Sequence, residues 1–254
     1  MKKIIVLFLG AILAFSMAAC DSPGKENADN PANTPSEAME ETPSPTPELK
    51  EEEAYEITYS NVKTYTNSIG TMYAQVIVEI ENTGTVDLYL SSGSYDLEDE
   101  NGKLVASSSM ASTYPEVISP GEKAYMYEEN MLDEAVDGKL TVQPRPDVKK
   151  ATVENIRYGV TDVEISSNKY GYIKAIGRVE NTTSKDEDGM IYVVIILKDA
   201  NGTPIGQIFT IIMDDLAAGD KIGFEASAMS LPDDVTEDSV SSYDVFAYPM
   251  QMQF

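Results

Sequence analysis

The sequence predicts an all-β protein built from two tandem β-sandwich domains. Three observations carry that prediction: short apolar runs alternating with polar residues from Ala54 onward, Asn-Gly pairs where such runs turn back, and an internal repeat at an offset of 99 residues.

The repeat sets the strands. The stretch YSNVKTYTNSIGTMYAQVIVEIENTG, starting at Tyr59, aligns without a gap with YGVTDVEISSNKYGYIKAIGRVENTT, starting at Tyr158. Ala74, Val76, Val78 and Ile80 pair with Ile173, Ala175, Gly177 and Val179 on one strand face. Gln75, Glu79 and Glu81 pair with Lys174, Arg178 and Glu180 on the other, which only Ile77 and Ile176 interrupt. Period-two alternation predicts sheets buried on one side. Each strand runs into Glu-Asn-Thr, at Glu81-Asn82-Thr83 and Glu180-Asn181-Thr182, where Asn and Thr can bond their own backbone and close a turn.

Downstream, SYDLEDENGKLV and IILKDANGTPIG carry a strand into Asn101-Gly102 and Asn201-Gly202, a strong hairpin signal because both residues tolerate positive φ. The turns in SPGEKAYMY and AAGDKIGFE follow, leading into strands where Ala124 and Met126 match Ile222 and Phe224. The one helix candidate is ENMLDEAV, residues 129–136, at one or two turns. Two units of about 100 residues with several short strands suit immunoglobulin-like sandwiches without a disulfide. The expected domains are residues 54–148 and 149–254, with the boundary near QPRPDVKK, where Pro144 and Pro146 would interrupt a ladder.

The residues GRVENTT, IILKDANG and AAGDKIGFE resemble the FxLYD domain of extracytoplasmic bacterial proteins. The name-giving motif would fall on Ile195, Leu197 and Asp199, and on Tyr95, Leu97 and Asp99 in the first copy. The resemblance implies a small β-sandwich on secreted or lipid-anchored proteins; it implies no reaction.

The chain begins with Lys2 and Lys3, an apolar run over residues 4–15, and Met17-Ala18-Ala19-Cys20. This is the layout of a secretory signal peptide, residues 1–19. Met17 to Cys20 resemble the bacterial lipobox, which implies that Cys20, the only cysteine, receives the lipid and becomes the mature N-terminus. The expected location is extracytoplasmic, anchored to the bacterial cell membrane by acyl chains whose burial contributes about 0.8 kcal/mol per CH₂. Residues 20–53 are rich in Pro, Ser, Thr and Glu, with no Val, Ile or Leu before Leu49 and no aromatic residue. That composition predicts a disordered acidic spacer, spanning roughly 30 Å on average.

A formal net charge of −25 argues against nucleic acid as a partner, because phosphates would be repelled. The chain has no histidine, which removes the usual general base and the commonest zinc ligand. Two acidic turns offer oxygen ligands for calcium: Asp96, Asp99, Glu100 and Asn101 in the first domain, and Asp186, Glu187 and Asp188 in the second. Neither has the spacing of a dedicated calcium loop, and Asp and Asn favour turns for backbone reasons alone. Adjacent carboxylates at Asp214-Asp215 and Asp233-Asp234 make poor catalytic pairs, since strand neighbours point to opposite faces. No cofactor motif is present. The final YPMQMQF alternates Met250, Met252 and Phe254 with glutamines, consistent with a last strand facing a core.

In MIYVVIILKD, alternation that sends Val193, Ile195 and Leu197 to the core leaves Tyr192, Val194 and Ile196 facing outward. The counterpart in the first copy is polar. An apolar outer face predicts an interface, either with the first domain or with a partner protein; the alternative is a central strand covered within its own sandwich. The expected function is non-catalytic binding, adhesion or scaffolding at the cell envelope, toward an envelope protein or surface ligand. The alternatives are a solute-binding lipoprotein of a transporter and a carboxylate-dependent envelope enzyme.

Overall fold

The computed structural model describes residues 50–168, 171–228 and 231–251. The signal peptide, Cys20, the spacer up to residue 49, Met252 and Phe254 lie outside the described residues. The chain forms thirteen described strands: β1 (Tyr55–Thr66), β2 (Met72–Asn82), β3 (Leu88–Glu98), β4 (Leu104–Tyr114), β5 (Val117–Ile118), β6 (Lys123–Met131) and β7 (Thr141–Lys150), then β8 (Gly159–Ser167), β9 (Ile173–Glu180), β10 (Ile191–Lys198), β11 (Pro204–Ile212), β12 (Lys221–Ser227) and β13 (Ser242–Pro249). A single 3₁₀ turn, Glu237–Ser239, is the one helical element among the described residues. The protein is all-β.

The two halves repeat one pairing scheme. In the first, β1-β2-β6 form one layer and β4-β3-β7 the other; in the second, β8-β9-β12 and β11-β10-β13 do the same, with every pairing antiparallel. The correspondence extends to minor features. Strand β5 pairs Ile118 with Leu88, and the isolated bridge between Leu216 and Glu187 occupies the same place in the second half. In the first half β4 also joins the layers, pairing with β3 up to Ser112 and with β6 over Ser112 to Tyr114.

Each half has its own core, made by the alternation seen in the sequence. Ala74, Val76, Val78 and Ile80 meet Leu88, Leu90, Tyr95 and Leu97 in the first. Ile173, Ala175 and Val179 meet Val193, Ile195 and Leu197 in the second. Opposed positions trade volume between the copies. Val78 lies opposite Met126, whereas Gly177 lies opposite Phe224. A Cβ on Gly177 would fall 2.7 Å from the Phe224 ring, so the ring fills the space a side chain would take.

Four expectations are corrected. Residues 129–136 form no helix: β6 continues through Met131, and Leu132 then turns into the core. Pro144 and Pro146 do not interrupt the ladder. They sit inside β7, which pairs only with β3 and so needs donors along one side only. Ile77 and Ile176 differ in environment, at 3% and 37% exposure, because the outer face of β2 is covered by the second half and that of β9 is open. Met250 lies beyond the last strand and is exposed.

The acidic segment ahead of β1 is tied down at its end. Glu52 exchanges hydrogen bonds with Thr85, and Glu53 accepts from the Lys150 backbone N–H. Between the halves, Asn155 donates to Ser119 and Glu122, and Arg157 donates to the Val117 carbonyl, so the connector is laced onto the first sandwich.

Candidate functional site: the cleft between two docked sandwiches

Residues 50–251 belong to one compact unit, and a third apolar cluster joins its halves. Val194 and Ile196 are buried on the outer face of β10, together with Tyr248 of β13 and Tyr125 of β6. Tyr192 is half-buried beside them, its ring 5.4 Å from Phe209 and 6.3 Å from Tyr114 of the first half. The sheet β11-β10-β13 therefore packs its outer face on the outer face of β2, β6 and the end of β4. Tyr192, Val194 and Ile196 thus lie against Tyr114 and Tyr125 of the first half. The equivalent face of the first half carries Ser94 and Asp96, both bonded to Arg145. That polar face suits water.

A charged network closes one side of the junction. The Tyr125 hydroxyl lies 2.6 Å from Asp244 Oδ2 and 2.9 Å from Glu79 Oε2. Lys198 Nζ reaches the same Asp244 oxygen at 2.5 Å, and Lys123 Nζ reaches Glu79 Oε1 at 2.5 Å. Burial opposes the charge on Glu79, but donation from Lys123, Thr58 and Tyr125 outweighs it and holds the carboxyl below its ordinary range. Burial, reinforced by Asp244, pushes the Tyr125 phenol far up, so it stays a donor. Nearby, burial lifts the Glu116 carboxyl to about 7, with the Gln251 backbone N–H working against it. Glu116 Oε2 and the Tyr248 hydroxyl are buried without partners there.

On another side the halves part and leave a cleft of about 830 Å³. Its floor is the outer face of the first sandwich, where Tyr65 and Tyr73 stack with ring centroids 5.6 Å apart. Beside them Tyr127 donates to Glu129 Oε1 at 2.7 Å and accepts from Gln75 at 3.2 Å. Burial raises the Glu129 carboxyl above its usual range, and the hydroxyls of Tyr127 and Tyr65 only partly counter this. The opposite wall is Gln207, Phe209 and the loop through Leu231 and Val235. An ion pair between Lys63 and Asp234 spans the two halves.

The acidic turns have other work. Asp99 Oδ1 accepts the backbone N–H of Asn101 and Lys103 at 2.8 and 2.9 Å, and Asp199 Oδ1 accepts those of Asn201 and Thr203 at the same distances. Asp96 pairs with Arg145 at 3.0 Å. Asp186 accepts from Ala218 N–H, and Glu187 from Tyr158 and Gly189. Among the described residues, no group of three or more His, Cys, Asp or Glu is arranged to hold a metal ion. Asp214 and Asp215 are exposed and line no described pocket.

The cleft is not visible in either copy alone, because its walls come from strands of both copies. Its one signal in the sequence is the richness in tyrosine, 15 residues in a chain without tryptophan. No protein-family model matches the chain, and no curated protein is similar to it.

Proposed function

We propose that the chain is an extracytoplasmic binding protein, anchored to the bacterial cell membrane through a lipid on Cys20, that holds its ligand in the cleft between two immunoglobulin-like modules and performs no catalysis. The observation that carries this reading is the cleft itself. Its 830 Å³ falls in the range of small-molecule and side-chain sites, and it combines apolar rings with a few polar groups. The paired strand schemes, with Ile195 and Leu197 facing inward and Asp199 capping a turn, support kinship of the modules with the FxLYD domain.

The N-terminal sequence supports the anchor. Among the described residues no helix is long and apolar enough to cross a membrane. Within the cleft, Glu128 and Glu129 are neighbours on β6 and face opposite ways, which favours binding over a paired-carboxylate hydrolysis. A solute-binding lipoprotein serving a transporter is the second reading, because an inter-module cleft is where such a protein would carry its cargo.

Cell labelling with palmitate, compared between the natural protein and Cys20→Ala, tests the anchor. Label in the first and none in the second is expected. An unlabelled natural protein that stays in the aqueous phase on detergent partitioning overturns it.

A further inference from the structure

Resting on the reading of the cleft as the ligand site, we propose that it takes a primary ammonium group on an aliphatic stem, as in a diamine or a lysine side chain, with Glu129 as counter-ion and the tyrosine floor packed along the stem. The cleft has a surplus of negative charge. Among its described lining residues Glu128, Glu129 and Asp233 carry carboxylates and none is Lys or Arg. Among the described residues Glu129 is partly buried with the phenol hydroxyls of Tyr127 and Tyr65 as its side-chain partners, and burial raises its carboxyl.

The site also has a surplus of acceptors. The Gln207 amide oxygen is buried without a donor, and Gln207 is 9% exposed. A ligand that brings N–H donors satisfies both shortages at once, whereas a quaternary ammonium brings charge without donors. Stacked Tyr65 and Tyr73 offer flat apolar surface for methylenes and ring faces for a cation.

The test is calorimetric titration of the detergent-solubilised full-length protein with cadaverine, Nα-acetyl-lysine amide, 1-pentanol and a short oligosaccharide. Cadaverine and the lysine amide are expected to bind, and the stronger of the two identifies a free amine or a peptide as the source. Pentanol should be weaker by at least tenfold. Glu129→Gln, nearly isosteric, should weaken cadaverine about tenfold while leaving the melting temperature level or higher. Ser227→Trp, an exposed position on the cleft wall, should block binding. If pentanol or the saccharide binds as well as cadaverine and Ser227→Trp abolishes it, the cleft stands and the cationic ligand class falls. If cadaverine binding survives both substitutions, or nothing binds, both fall.

Discussion

Asn82 and Asn181, 99 residues apart, hold the same station in the two modules. The Asn82 side chain donates to the carbonyls of Val86 and Ile118, both at 2.9 Å, and accepts from Gly84 N–H at 3.0 Å. Asn181 donates to those of Lys185 and Leu216, at 2.8 and 2.9 Å, and accepts from Thr183 N–H at 3.0 Å. Each asparagine is almost fully buried and ties the loop that follows it to a second segment, at Ile118 or Leu216, at one end of its sandwich. Duplication of a fold unit explains such a match; two unrelated sandwiches would have no reason to share it.

Asn82→Ala and Asn181→Ala are each expected to cost about 2–3 kcal/mol, since two carbonyls lose their buried donor in each case. Urea unfolding measures the loss. A cost under about 0.5 kcal/mol would mean that the carbonyls find other partners.

The copies also differ in a way that can be swapped. Gly177→Val sets a side chain against the Phe224 ring and is expected to cost about 2–3 kcal/mol. Adding Phe224→Met recreates the Val78–Met126 pair of the first module and is expected to recover most of it. A double-mutant cycle should show a coupling of at least about 1 kcal/mol; additive effects would contradict equivalence of the two cores.

Tyr125→Phe removes the one hydroxyl that bridges Glu79 and Asp244 across the junction. It is expected to lower stability by about 1.5–3 kcal/mol, the range for hydrogen bonds to charged groups. Thermal unfolding of the variant checks this, and an unchanged midpoint would assign the contact no net role.

Glu116 gives the junction a pH dependence of definite sign. Its carboxyl titrates near 7 when folded against 4.5 as the ordinary value, so between those values the folded chain keeps a proton that the unfolded chain has lost. Its contribution to stability therefore declines as pH rises from about 4.5 to 7 and is flat above. Glu116→Gln is expected to be more stable than the natural chain at pH 8, by up to about 3 kcal/mol, and nearly equal to it at pH 4.5. Melting temperatures across that interval measure it, and a pH-independent difference would refute the assignment.

Alternation over residues 74–80 and 173–179 showed which side chains enter the cores, because an apolar face set against a mostly polar one writes its period into the chain. The outward excess at Val194 and Ile196 showed that a face had to be covered. What covers it was not legible: Tyr125 and Tyr114 read as ordinary strand residues until β6 and β4 are placed opposite β10. Glu116, Asp244 and Glu129 were equally silent, since a carboxylate in sequence looks the same whether it ends in water or at a junction. The helix expected over residues 129–136 failed because Asn130 and Met131 extend the pairing of β6 with Tyr73 and Ala74 of β2. Local helical preference yields there to a ladder already under way.

Docking of the two modules through Val194 is the claim on which the cleft depends, and unfolding of Val194→Glu tests it most directly. Val194 is fully buried against the first module, so an unpaired carboxylate there should cost about 3 kcal/mol or more. Ile176→Lys, on the open outer face of the same module between Glu164 and Glu225, should cost no more than about 0.5 kcal/mol. Urea denaturation followed by tyrosine emission is expected to turn one transition into two for Val194→Glu, as the modules part and melt separately. A single transition at the natural midpoint would show that the modules do not hold one another, and that the cleft is no fixed part of the protein.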